Sequence, residues 1–473
     1  MRKSFLFVSL LLMLSVWATV QAAVVRGSVV DTKGKPVSGV VVTDGYHFTT
    51  TDAKGAYNLD SDLDKSRLVY ISVPADYVVS TTDGMADQFY RPLNKNREVN
   101  VHDFVLQKRS KPLDEFVYLA ISDPQVYNEK EIQRLRTETV PDLKETVNRY
   151  AGKEIYGMVL GDLVGDAMDL FIPYKQSVSD LGICVFSVIG NHDHNERYTA
   201  ESNIATSVSS SYAEQVYEHY FGPYNYSVNI GNVHIVTLKD IDYFGKRKYK
   251  ERFGAEQLEW LKKDLSYVKP GTTVFVNVHA PAFNRSAEGN GNADDAEAFK
   301  KIVEPYNVHI FAGHTHYFEN NQVTPTLFEH NIGAACGAWW AGHVNRCGAP
   351  NGYLVVEVKG DKVVWHYKAT GRPVDYQFRV YRPGAFKASP DYLVANVWDW
   401  DPSYVVKWFE DGTEKGKMEQ FDAEDQDYID MHGGASGYHT LHLFRCQPSK
   451  GTKTVRVEVT NRFGEVYKEE IAL

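Results

Sequence analysis

Hydrophobic and polar positions are arranged in three successive patterns along the chain. From 23 to 107, short apolar stretches are broken by Gly and Asp turns such as Asp31-Thr32-Lys33-Gly34 and Asp44-Gly45. That punctuation predicts a small β-sandwich. After a basic, Pro-containing linker at 108–113, residues 113–370 mix continuous apolar runs with helical spacing, the pattern of an α/β unit. From 371 to 473 short strand-like runs return, separated by turns such as Asp411-Gly412, and predict a second sandwich.

Within the middle unit, residues 128–150 are helical in spacing except for Pro141. Proline is tolerated in a helix's first turn and breaks its interior, so two helices are expected, the second starting near Pro141. Residues 168–181 predict a helix with Pro173 in its first turn, and 255–265 an amphipathic helix with Leu258, Leu261 and Leu265 on one face. Residues 353–367 read as a hairpin turning at Gly360-Asp361, expected to close a second core sheet. Residues 196–220 are expected to cross near a site mouth. The Gly- and Asn-rich stretch 288–295 reads as a surface loop or a substrate lid.

Five apolar runs end in residues able to bind metal or move protons. Residues 116–122 lead into Asp123 and Gln125, and 157–160 into Gly161-Asp162-Leu163-Val164-Gly165-Asp166. Residues 184–189 lead into Gly190-Asn191-His192-Asp193, 274–278 into His279, and 308–312 into Gly313-His314-Thr315-His316. Such endings predict one shared sheet edge, where sites form in α/β proteins. Mixed nitrogen and oxygen donors without thiolates suit Zn, Fe, Mn or Mg and argue against a structural cysteine-zinc site.

This ordered set resembles the calcineurin-like metallophosphoesterases, and the order of three units resembles an exported bacterial subgroup of that family. The resemblance implies a core of two packed β-sheets flanked by helices, with an all-β sandwich at each end. It implies two metal ions. Asp123, Gln125, Asp162 and His316 would hold the first, and Asp162, Asn191, His279 and His314 the second, with Asp162 bridging. Gln125 stands where histidine is commoner. An amide oxygen is a harder donor, which favours Mn, Fe or Mg there. The implied reaction is hydrolysis of a phosphate ester by a hydroxide held between the metals, with His192 as general acid and Asp193 orienting His192 or a neighbouring ligand. Monoester, diester and pyrophosphate cleavage all remain open. A non-enzymatic reading makes the chain a surface protein whose sandwiches bind glycans or envelope partners.

Charge and termini narrow the setting. A formal net charge of −10 disfavours non-specific nucleic-acid binding. Two divalent cations would nevertheless outweigh Asp123 and Asp162 locally. Arg2 and Lys3 precede an apolar stretch, and Val20-Gln21-Ala22 offers a cleavage point, so residues 1–22 read as a signal peptide of a periplasmic or extracellular protein. The mature chain carries no run long enough to span a bilayer. With export, Cys336 and Cys347 are expected to pair across a Gly-containing loop. The loop's Trp339 and Trp340 could stack on a sugar ring or base, or pack into a core or domain interface.

Overall fold

A computed structural model describes residues 23–197, 212–283 and 292–473. The proposed signal segment and parts of the 196–220 and 288–295 stretches lie outside the described residues. No helix among the described residues is long and apolar enough to cross a membrane.

The middle unit is built on two sheets. In the first, strands Glu115–Ile121, Glu154–Val159 and Cys184–Ser187 run parallel, and the Gly352–Lys359/Lys362–Ala369 hairpin joins antiparallel on the other side. In the second, Val233–Thr237, Thr273–Asn277, Asn307–Ala312 and Leu327–Asn331 run parallel, with antiparallel strands Tyr226–Ile230 and Glu319–Thr324 at the edges. Tyr118 from the first sheet packs against Phe275 and Phe311 of the second, so the layers share one buried interior. Two sequence expectations are corrected here. The ligand-bearing strand ends belong to two facing sheets and not to one edge. The 352–369 hairpin extends the first sheet, because its apolar strand pairs with Glu115–Ile121 in continuous register from Glu115 to Ala120.

The expected second helix, Val140–Arg149, carries Pro141 in its first turn, but no loop separates it from the helix before. Helix Glu129–Arg134 passes through a π-turn, Leu135–Thr139, into Val140–Arg149, and the Val140 N–H donates to Leu135 O. The wider turn shifts the hydrogen-bond frame one residue before proline, which has no N–H to contribute. Pro173 lies in the first turn of Phe171–Ser179, and in Ala255–Leu265 the buried face includes Trp260, Leu261 and Leu265.

The flanking units are strand-rich, each with two sheets, and both are joined closely to the middle one. In the N-terminal unit, Val73 bridges Val228 and Met85 bridges Val185, covering an edge of each core sheet. Its apolar interior merges with that of the middle unit. In the C-terminal unit, Asp399 accepts from Asn320 Nδ2 at 2.7 Å and from the Tyr367 N–H at 3.2 Å. His330, between these layers, donates from Nδ1 to Asn320 Oδ1 at 3.0 Å and accepts at Nε2 from His309 Nδ1 at 3.1 Å. Tyr317 OH donates to His439 O at 3.1 Å. The expected Cys336–Cys347 disulfide is absent: both thiols are free and buried. Cys347 Sγ instead accepts from the Phe318 N–H at 3.2 Å, and Cys336 Sγ faces Gly337 O at 3.4 Å.

Candidate metal centre

All seven expected ligand residues come to one place, where the strand ends of the two sheets meet. Glu115–Ile121 leads to Asp123 and Gln125, Glu154–Val159 to Asp162, and Cys184–Ser187 to the short 3-10 turn Asn191–Asp193. From the facing sheet, Thr273–Asn277 leads to His279 and Asn307–Ala312 to His314 and His316. Asp123, Gln125, Asp162, His314 and His316 have φ values of 43°, 37°, 48°, 69° and 51°. That left-handed region is unfavourable for residues with a Cβ and clusters at functional sites. Here it turns each side chain inward immediately after its strand. Glycine makes the crowding possible. A Cβ on Gly190 would overlap Asp162, and one on Gly313 would overlap Ser122 and Asp123.

Hydrogen bonds fix the imidazole tautomers. His279 Nδ1 lies 2.8 Å from Leu160 O, and His316 Nδ1 is bonded to Gly337 O. A carbonyl only accepts, so each Nδ1 carries the proton and each Nε2 presents a lone pair. His279 Nε2 then faces Asn191 Oδ1 at 2.9 Å, His314 Nδ1 at 3.1 Å and Asp162 Oδ1 at 3.3 Å. His316 Nε2 faces Asp123 Oδ1 at 3.8 Å. Asp123 Oδ1 and Gln125 Oε1 are buried without a hydrogen-bond partner, while His314 Nε2 lies 3.5 Å from Glu251 Oε1 and its Nδ1 faces the other ligands. Burial of acceptors against acceptors is costly unless a cation lies between them. Asp162, His279 and His314 bring ligand atoms within 4.8 Å of one another. Burial opposes an imidazolium at His279, yet the Asp162 carboxylate outweighs it and raises the pKa to about 10. The pocket demands positive charge at that nitrogen, and a metal ion supplies it as well as a proton does. At His316 burial prevails and pushes the pKa down to about 3, leaving a neutral ligand.

Backbone donors hold the ligand loops through buried carboxylates. Asp193 accepts from the N–H groups of Gly190 at 2.8 Å, Leu163 at 2.9 Å and Val164 at 3.2 Å. It therefore ties the Asp162 loop to the Asn191 turn and does not touch the His192 ring. The ring is held by Asp166, whose Oδ2 lies 2.9 Å from His192 Nδ1, leaving Nε2 for substrate. Burial works against a charged His192, but Asp162 and Asp166 prevail and raise its pKa to about 9. Asp240 accepts from the His279 and Ala280 N–H groups at 3.1 and 2.8 Å, and Glu329 from Ala282 at 2.7 Å. Asp166 closes the Gly161–Asp166 motif and was legible there. Asp240 and Glu329 sit in no motif.

The two tryptophans divide. Trp339 is 38% exposed and stacks on His316 with centroids 4.5 Å apart, while Trp340 is buried and its Nε1 donates to Pro124 O at 3.0 Å. Arg346 lies over Trp339 at 4.6 Å and over Tyr438 of the C-terminal unit at 4.2 Å. Tyr127 and Tyr249 stand edge-on to His192 and His314, at 6.2 and 5.8 Å. The sequence reading did not single out either tyrosine.

Family profiles match nearly the whole described chain in order. They are the N terminal of calcineurin-like phosphoesterase over 23–109, calcineurin-like phosphoesterase over 116–318, and the C terminal of calcineurin-like phosphoesterase over 329–467. The chain belongs to the calcineurin-like phosphoesterases. It is thus a metal-dependent phosphoester hydrolase of a dinuclear-metal family. Among solved structures, a dimetal phosphatase from Danio rerio is 15% identical, with 55% of this chain and 97% of that chain covered and a TM-score of 0.39. The purple acid phosphatase PPD1 from yellow lupin is 11% identical, with 70% and 67% covered and a TM-score of 0.39. A 5'-nucleotidase from Candida albicans is 11% identical, with 55% and 52% covered and a TM-score of 0.34. No curated protein matches the chain.

Proposed function

We propose that this calcineurin-like phosphoesterase is an exported phosphohydrolase. Asp123, Gln125, Asp162 and His316 would hold one metal ion, and Asp162, Asn191, His279 and His314 would hold the other. The observation that carries this assignment is the convergence of lone pairs: Nε2 of His279 faces three acceptors, His314 Nδ1 among them, while Asp123 Oδ1 and Gln125 Oε1 stay buried and unpartnered. When bound, the cations supply Lewis-acid charge to phosphoryl oxygens and make water acidic enough to attack phosphorus near neutral pH.

The chain's own groups do the rest. Leu160 O and Gly337 O keep the lone pairs of His279 and His316 aimed inward. Asn191, beside His279, is placed to neutralise charge on a phosphoryl oxygen. Asp166 holds His192 by Nδ1 and sustains its protonated form, so Nε2 can deliver a proton to the leaving oxygen. Export is supported by the sequence pattern of residues 1–22.

The test is metal analysis of the purified protein together with turnover of p-nitrophenyl phosphate and its bis ester in Mn, Fe, Zn and Mg. Two metals per chain, both lost with turnover in Asp162→Asn, are expected. A folded wild-type chain that binds no metal and turns over neither ester overturns the assignment.

A further inference from the structure

Resting on the phosphohydrolase reading, we propose that the substrate carries a diphosphate link and that Arg247 binds the phosphate that leaves. The arginine sits at the tip of a two-stranded ribbon, Ile241–Gly245 and Lys248–Glu251, which belongs to neither core sheet. Its turn residues Lys246 and Arg247 have φ of 53° and 60°, the paired left-handed geometry of a tight hairpin. The base of the ribbon is fixed. Ile241 and Tyr243 are buried against Ala213 and Ala280, and the Tyr243 ring stacks on His194 at 4.6 Å. From that base the ribbon reaches both ends of the metal centre. Glu251 Oε1 lies 3.5 Å from His314 Nε2, and Arg247 Nη2 lies 3.0 Å from Asp166 Oδ2.

Asp166 is the carboxylate that holds His192 Nδ1. Arg247 therefore stands beside His192, behind its Nδ1 edge, at the end of the metal centre from which the leaving oxygen would be protonated. Its side chain is 63% exposed, and Lys246 and Lys248 flank it at the surface. Between Tyr243 and Lys250 the chain carries Lys246, Arg247, Lys248 and Lys250 and no carboxylate, in a protein of net charge −10. Arg247 also pairs with the partly exposed Glu196 at 2.9 Å, a contact near the surface that a phosphate can replace at little cost. A neutral alcohol leaving group has no use for such a cluster. A leaving group whose next atom is a second phosphorus brings negative charge to it, and the planar guanidinium can grip two of its oxygens.

In the step, a water oxygen bonds to the nearer phosphorus and loses a proton to solvent. The bond from that phosphorus to the bridging oxygen breaks, with the electron pair staying on the oxygen. His192 protonates that oxygen and is later reprotonated from solvent. One water is consumed, two phosphate-bearing products form, and no oxidant or reductant is involved.

The experiment compares UDP-glucose with p-nitrophenyl phosphate on the metal-loaded full chain, for wild type, Arg247→Ala and Arg247→Lys. Calorimetric titration with inorganic pyrophosphate and with orthophosphate runs in parallel. Arg247→Ala is expected to lower kcat/KM for UDP-glucose relative to the monoester, and affinity for pyrophosphate relative to orthophosphate, each by about tenfold to a hundredfold. Arg247→Lys is expected to restore part of both. Equal losses on both substrates and both anions would make Arg247 only a support for Asp166 and overturn the inference. So would a wild type that turns over the monoester yet neither cleaves UDP-glucose nor favours pyrophosphate, although the phosphohydrolase reading survives that result. A wild type that turns over nothing but binds pyrophosphate through Arg247 overturns the hydrolytic reading and leaves the diphosphate site standing.

Discussion

Asp162 is gripped from three directions: Gln125 Nε2 donates to Oδ2 at 3.2 Å, the His192 N–H donates to Oδ1 at 2.9 Å, and His279 Nε2 lies 3.3 Å from Oδ1. An amide at position 125 can both donate to this carboxylate and offer its oxygen to a cation. An imidazole could do only one of these with a given nitrogen. Gln125→His is accordingly expected to raise zinc uptake relative to manganese, measured by mass spectrometry of protein reconstituted in mixed metals. His192→Ala is expected to slow esters with poor leaving groups by roughly 10²–10⁴-fold and to affect p-nitrophenyl phosphate far less, because an activated phenolate needs little help from an acid. Asp166→Asn should shift the alkaline limb of the pH–rate profile downward, since the Asp166 carboxylate helps to hold the His192 pKa near 9. The motif residues were readable because their chemistry is written in their identity. The supporting carboxylates outside the motifs were not. Asp240 acts on the backbone N–H groups of His279 and Ala280, and no spacing rule connects it to that loop.

Strand ends and turns carry the site more than helices do. Gly313 is the point where the two sheets approach closely enough for their ligands to meet, and Gly190 lets two loops of the first sheet close on each other; a methyl group there would strike Asp123 or Asp162, respectively. Gly313→Ala is expected to cost about 1–3 kcal/mol in stability, as overpacked interiors do, and to reduce metal content. Chemical denaturation and metal analysis check the two effects separately. At this level the apolar runs were legible as strands because they are continuous and end sharply in polar residues. Their partition between two sheets was not, since a strand buried on both faces looks alike in either sheet. The ribbon Ile241–Glu251 escaped notice for the opposite reason: its lysines and tyrosines give little apolar alternation, and its meaning comes only from the neighbours it reaches. At Pro141, a one-residue widening of a turn achieved what sequence rules treat as a break.

The three units are held together by buried polar contacts as well as by apolar ones. His330 sits fully buried between Asn320 and His309, next to the Asn320–Asp399 bond that links the core to the C-terminal unit. Burial keeps its pKa well below the ordinary value, and His309 and Arg462 add to the effect. In the unfolded chain the same ring titrates near pH 6.5. Below that pH the unfolded state therefore binds the extra proton and the folded state resists it, so stability declines as pH falls. The melting temperature should drop on acidification from about pH 6.5, and His330→Phe should flatten that limb. The column from His316 through Trp339 and Arg346 to Tyr438 has a further bearing. It makes the last hundred or so residues a wall of the reaction chamber rather than a passenger. A lineage that exchanged this terminal unit for an unrelated one would strip Tyr438 from Arg346 and loosen the cover over Trp339, the ring that stacks on His316. Core and tail thus share one stack of rings, and a change at Tyr438 reaches His316 through Arg346 and Trp339 without touching a metal-binding residue.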